Sequence, residues 1–130
     1  MPGGKEVKYM FAKDIKKLTK ENTNFRTVLH TGLHSQIVAM SIPVGGDIGE
    51  EVHSNIDQIL FIVDGDGEAI VNGASKKIEE HDVVFVPAGT RHNFKNTGDE
   101  ELKLFTVYAP PEHPDGTIHK TKEEAEKEHK

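Results

Sequence analysis

The 130-residue sequence is long enough to form one domain with a buried core and too short to form two. It contains no cysteine, which excludes disulfides, iron–sulfur clusters and thiolate zinc sites and leaves only oxygen and nitrogen atoms as metal ligands. With 16 lysine and arginine residues against 22 aspartate and glutamate residues, the formal net charge of -6 argues against nucleic-acid binding. No stretch has the apolar length of a signal peptide core or a membrane span, so we expect a cytoplasmic protein without membrane contact.

The middle of the chain predicts short β-strands, preceded by a short helix. Residues 11–22 predict one or two helical turns with Asp14 as the N-cap. Alternating or β-branched apolar runs then predict strands at residues 26–30, 36–42, 58–63, 68–71, 83–86, 92–95 and 102–108. We interpret the Asp-Gly-Asp-Gly sequence at 64–67 as a hairpin turn rather than a calcium loop, because the later ligands of an EF-hand are missing. Strands at this spacing are typical of an all-β sandwich or barrel.

The two ends of the chain differ from this pattern. We divide the chain into an N-terminal extension (1–25), a barrel (26–110) and a charged C-terminal tail (111–130) that begins after a proline. Thr121 and Glu124 have the spacing of a capping box, but no apolar stripe follows, so we expect a solvated or frayed tail. His113 and His119 lie in this tail, and we do not expect them to reach a metal site.

Four polar side chains in two segments are candidate ligands of one metal ion. Glu51 and His53 are two residues apart, so on an extended strand their side chains share a face. Gln58 and His92 complete a set of one carboxylate, two imidazoles and one amide oxygen, which suits a divalent first-row metal. An amide oxygen is a weak ligand, so Gln58 could instead donate a hydrogen bond behind the ligands. Asp57 is the alternative to Gln58, because a one-residue change of register would turn it inward.

The order and spacing of these residues resemble the two motifs of the cupin superfamily. The segments read Gly45, five residues, Glu51-Val52-His53, four residues, Gln58, six residues and Gly65, then His81, five residues, Pro87-Ala88-Gly89, two residues, His92, three residues and Asn96. Every spacing matches, but Glu51, Gln58 and His81 stand where the motifs have His, Glu and Gly. The first two exchanges leave the formal charge of the ligand set unchanged. The resemblance covers roughly residues 26–108 and is greatest to small single-domain bacterial cupins of the mannose-6-phosphate isomerase-like group.

The resemblance implies a double-stranded β-helix, a jelly-roll barrel with one divalent metal ion (Mn, Fe, Ni or Zn) at its mouth. Four protein ligands would leave two positions for a small molecule with carbonyl, hydroxyl or carboxylate oxygens. We predict an isomerase, epimerase, lyase or oxygenase, and the alternative is a non-catalytic ligand-binding or structural cupin. Tyr108 and Asp57 are the candidate general bases. We expect a homodimer, because exposed edge strands are commonly paired or covered.

Overall fold

The computed structural model describes residues 10–128. Within them, the elements in chain order are α1 (Ile15–Glu21), β1 (Arg26–Thr31), β2 (Gln36–Ile42), β3 (Asp57–Asp64), β4 (Asp66–Val71), β5 (Ala74–Glu79), β6 (Val83–Val86), β7 (His92–Asn96), β8 (Leu102–Ala109), β9 (Ile118–His119) and α2 (Lys122–Glu128). Each predicted strand is present within two residues of its predicted bounds. The predicted helix is also present, and the Asp14 side chain caps it by accepting a hydrogen bond from the N–H of Lys17 at 3.0 Å. None of the described helices is long and apolar enough to cross a membrane.

The strands form two antiparallel sheets that enclose one apolar core. The larger sheet has the order β6-β3-β8-β2-β1-β9, and the smaller has the order β5-β4-β7. Residues 46–51 extend the smaller sheet along β7, through hydrogen bonds such as that from the N–H of Ile48 to the carbonyl of Phe94 at 3.0 Å. Alternate residues of β3 and β8 are buried between the sheets. The fold is a double-stranded β-helix, as predicted.

Residues 64–67 cross from one sheet to the other, so the predicted hairpin at this position is wrong. β3 belongs to the larger sheet and β4 to the smaller, and the two strands do not pair. Gly65 has a φ of 94°, and a Cβ there would lie 2.7 Å from the carbonyl oxygen of Glu101. The glycine is therefore required by a close crossing rather than by a two-residue turn. The hairpin with two left-handed residues lies at Asn72 and Gly73, between β4 and β5.

The C-terminal residues pack on the barrel, which corrects the expectation of a frayed tail. β9 pairs with β1 in the register Arg26 to His119, and His119 is buried. The predicted cap of α2 is present, since Oγ1 of Thr121 accepts a hydrogen bond from the N–H of Glu124 at 3.1 Å. Ala125, on the inner side of α2, is 3% exposed and belongs to the core. Two charged side chains at the ends of the helix also bind the barrel, since Lys122 pairs with Asp47 and Glu128 pairs with His119.

Candidate metal centre

Three side chains from the two motif segments converge on one point. Glu51, His53 and His92 each offer a ligand atom, and these atoms all lie within 4.8 Å of one another. The backbone produces this convergence, because Glu51 and His92 exchange two N–H to carbonyl hydrogen bonds of 2.9 Å. Residues paired in this way have adjacent side chains. Val52 is 45% exposed, so alternation turns Glu51 and His53 to the same inner face.

One ring nitrogen of His92 is fixed and the other is free. Nδ1 lies 2.9 Å from the carbonyl oxygen of Thr90, which can only accept, so Nδ1 carries the proton. Nε2 therefore has a lone pair, and it is buried without a hydrogen-bond partner. A backbone carbonyl behind Nδ1 is a common way to orient an imidazole toward a metal.

Glu51 and His53 form a close carboxylate–imidazole pair. Nε2 of His53 lies 3.3 Å from Oε1 of Glu51. This carboxylate raises the pKa of His53, although burial opposes the increase. Burial raises the pKa of Glu51, but attraction by His53, Arg26 and His92 outweighs burial and leaves the pKa below its ordinary value. Glu51 is therefore ionised at neutral pH and offers a carboxylate beside the two imidazoles.

The register of β3 turns Gln58 inward and Asp57 outward. Gln58 is 2% exposed; its Nε2 donates to Oγ1 of Thr106 at 3.2 Å, and its Oε1 is buried without a hydrogen-bond partner. Asp57 is exposed, and its Oδ1 accepts a hydrogen bond from the N–H of Ala88 at 2.9 Å. The alternative in which Asp57 replaces Gln58 is therefore wrong. The same outward orientation removes Asp57 as a candidate general base.

A second carboxylate reaches the cluster from the segment after β8. Oε2 of Glu112 lies 3.6 Å from Nδ1 of His53. The Gln36 side chain holds this segment: its Oε1 accepts from the N–H groups of Glu112 at 3.3 Å and His113 at 3.1 Å, and its Nε2 donates to the carbonyl of His113 at 2.7 Å. Glu112 belongs to the segment predicted as a tail, so part of this segment reaches the cluster, whereas His113 is not among the three clustered ligands. No local sequence signal reveals this contact, because the clamping glutamine lies 76 residues away.

Tyr108, the other candidate base, lines the same interior. It is 1% exposed, and its ring lies edge-on to His53 at 5.9 Å and to His113 at 5.3 Å. Burial holds the pKa of Tyr108 well above its usual range. Its hydroxyl is therefore protonated at neutral pH and can donate a hydrogen bond, but it is a poor general base.

His81, the third departure from the motifs, lies in a turn outside the cluster. Its φ is 80°, in the left-handed region, and its side chain is 82% exposed. Glycine adopts this conformation without a Cβ clash, which explains the residue type that the motif expects. The replacement therefore affects the backbone of the turn and adds no group to the metal centre.

Comparisons with known proteins place the chain beside other small barrels. The uncharacterized protein YrkC of Bacillus subtilis is 46% identical over 122 residues, which cover 88% of this chain and 65% of that protein. A crystal structure from Bacillus halodurans has a TM-score of 0.89 and 41% identity, over 90% of this chain and 93% of the other. A crystal structure described as a predicted oxalate decarboxylase, from Thermotoga maritima, has a TM-score of 0.56 and 29% identity, over 58% of this chain and 66% of the other.

The family assignment follows from these matches. The chain spans 65% of the length of YrkC, so the comparison with that protein leaves about a third of it unmatched. The finer assignment to the mannose-6-phosphate isomerase-like group stays a prediction. The cupin domain family matches residues 38–108, more than half of the 130 residues and the part that contains both motif segments. The chain belongs to the cupin family.

Proposed function

We propose that this cupin holds one divalent metal ion through Glu51, His53, His92 and Gln58. One observation carries the proposal: Nε2 of His92 and Oε1 of Gln58 are both buried without hydrogen-bond partners. Leaving a buried acceptor unpaired costs about 1–3 kcal/mol. A cation would satisfy both lone pairs at once and would also neutralise the Glu51 carboxylate. The donor set therefore fits a metal ion better than it fits a set of internal hydrogen bonds.

The ligand set is compatible with Mn(II), Fe(II), Ni(II) or Zn(II). When bound, such an ion supplies a Lewis acid that polarises an oxygen of the ligand. The side chains of Glu51 and Glu112 are 26% and 18% exposed, so solvent reaches the cluster beside these carboxylates. We infer that a small polar molecule with carbonyl, hydroxyl or carboxylate oxygens binds at this opening.

We also propose that the bound molecule undergoes a reaction in which a proton moves, as in an isomerase or a lyase. Glu112 is the carboxylate beside the cluster that does not belong to the proposed ligand set, so it is free to accept the proton. The likeness to the Thermotoga maritima protein, whose description names a decarboxylase, supports the lyase class. An oxygenase would not need Glu112, and the presence of this carboxylate therefore favours the first two classes.

Metal titration of purified, metal-stripped protein tests this proposal. We expect about one ion per chain in elemental analysis, and we expect His92→Ala to abolish most of the binding. The control is His34→Ala, which removes an exposed imidazole. Wild-type protein that retains no Mn, Fe, Ni or Zn after desalting would refute the metal site. Binding of metal without turnover of any small oxygenated acid in a screen would support the non-catalytic alternative.

A further inference from the structure

Arg26 carries a buried positive charge without an acidic partner. The residue is 2% exposed, and none of the ion pairs formed by residues 10–128 involves it. Its Nε is buried and has no hydrogen-bond partner. A guanidinium in the interior normally pairs with a carboxylate, because taking an unpaired charge out of water costs several kcal/mol. The guanidinium therefore lies in the interior of the barrel without a carboxylate of the described residues in direct contact with it.

The guanidinium is held from behind by the C-terminal elements. Nη1 of Arg26 lies 3.1 Å from Nδ1 of His119, and because a guanidinium can only donate, this nitrogen accepts the hydrogen bond. Nε2 of His119 then carries the ring proton and donates to Oε1 of Glu128 at 2.9 Å. His119 thus fixes Nη1, the guanidinium also contacts the Tyr108 side chain, and the buried Nε–H has no hydrogen-bond partner.

Arg26 acts on the same groups that form the metal centre. Its side chain starts on β1, in register with Met40 on β2, and points to the buried face of the larger sheet. Its charge is among those that influence Glu51, His53 and Tyr108. The guanidinium contacts the Tyr108 side chain, whose ring lies 5.9 Å from that of His53, and so lies in the interior that the candidate metal centre faces.

With a divalent metal bound, this interior would hold an excess of positive charge that an anion could neutralise. A divalent metal and Arg26 bring three positive charges, whereas Glu51 and Glu112 bring two negative charges. A ligand with one negative charge would neutralise the remainder. Arginine binds carboxylates through its N–H groups, which matches the unpaired Nε–H of this buried guanidinium.

We propose that Arg26 binds the carboxylate of a small oxygenated carboxylic acid, such as a 2-hydroxy or 2-oxo acid, at the cupin metal centre. The identity of this substrate class rests on the proposed function, since a second oxygen of the acid is the group offered to the metal. The arginine selects an anionic ligand over a neutral one of the same shape.

Calorimetric titration with glycolate, and with its neutral amide glycolamide, tests the assignment in metal-loaded and metal-stripped protein. Arg26→Met removes the charge at similar length. We expect it to weaken glycolate binding about 10- to 100-fold, the range for a lost charged hydrogen bond, and to leave glycolamide binding unchanged. Metal affinity should not fall, because removing a nearby positive charge cannot weaken the binding of a cation. The matched control is Arg91→Met, since Arg91 is 63% exposed and pairs with Glu50 on the surface.

A second substitution of Arg26 and the metal-free protein provide two further tests. Arg26→Lys preserves the charge if Arg26→Met fails to fold, and it should still lose about tenfold in glycolate affinity because lysine lacks the planar N–H edge. Glycolate affinity equal to wild type in either folded Arg26 variant would overturn the proposal. If wild-type protein binds no metal, the proposed function fails by itself. If metal-free wild-type protein then still binds glycolate and Arg26→Met loses this binding, the anion site is supported. If metal-free wild-type protein does not bind glycolate, the anion site is overturned.

Discussion

Two buried glutamines that flank Tyr108 should respond in opposite ways to the same substitution. Gln36 and Gln58 both face Tyr108 across the sheet, in β2 and β3, and are 1% and 2% exposed. Leucine has nearly the volume of glutamine and lacks its polar atoms. Gln58→Leu removes one hydrogen bond to Thr106 but also removes an oxygen that has no hydrogen-bond partner. We expect the metal-free variant to be more stable than wild type by about 0–2 kcal/mol.

Gln36→Leu is the matched control. It leaves the N–H groups of Glu112 and His113, the carbonyl of His113 and the hydroxyl of Thr31 without their present partner. At about 0.5–1.5 kcal/mol for each of the four hydrogen bonds, the expected loss is about 2–6 kcal/mol. The same chemical change at the same depth thus predicts opposite signs, because only one of the two amides is fully hydrogen-bonded.

Urea denaturation of metal-stripped protein measures both values. Adding the same excess of a divalent metal should then stabilise wild type more than Gln58→Leu, since the stabilisation increases with the logarithm of the affinity for the folded state. A metal-free Gln58→Leu variant that is less stable than wild type by about 1 kcal/mol or more would refute the reasoning. It would mean that the Gln58 oxygen already has a partner in the protein and is not held ready for a cation.

Four further outcomes are expected from the site and its turns. In calorimetric metal titration, His53→Ala and His92→Ala should each remove most of the affinity, Gln58→Ala should weaken it modestly, and Asp57→Ala should leave it unchanged. Because Glu51 raises the pKa of His53 and binding needs a neutral imidazole, metal affinity measured between about pH 5 and pH 8 should decline from above about pH 6.5 downward. In metal-free protein the same raised pKa stabilises the fold below about pH 6.5, and this contribution should disappear in denaturation curves as the pH rises through the raised value. His81→Gly should raise the free energy of unfolding by up to about 1 kcal/mol, because it removes left-handed strain but loosens the unfolded chain.

The parts of the fold that the sequence predicts well are those with a local signal. Apolar patterning locates seven of the nine described strands to within two residues, since one face of these strands is buried. The same alternation puts Glu51 and His53 on one face and turns Val52 outward, so the sequence alone predicts most residues of the candidate cluster. The capping residues Asp14 and Thr121 are equally local signals, and both caps form.

The parts that the sequence does not predict depend on distant contacts. β5 has exposed side chains at every position but Ile78, so no buried face marks it as a strand. β9 is two residues long and exists through its pairing with β1. The contributions of Glu112 and Arg26 to the interior depend on Gln36 and His119, which are far away in the chain. A glycine-containing turn such as 64–67 has the same residue preferences whether it closes a hairpin or crosses between sheets, so its sequence cannot distinguish the two.

Glu51 and Gln58 stand where the cupin motif has His and Glu, so the carboxylate lies at position 51, where water can reach it. The carboxylate of Glu51 lies in a side chain that is 26% exposed, whereas Gln58 is 2% exposed. An ionised carboxylate at the deeper position would lose its hydration in the metal-free protein and would lack a cation to replace it, which costs several kcal/mol. A neutral amide there costs only an unpaired acceptor, about 1–3 kcal/mol. The amide therefore makes folding without an ion less costly than a carboxylate would, and the proposed ligand set keeps the single negative charge of the motif residue types.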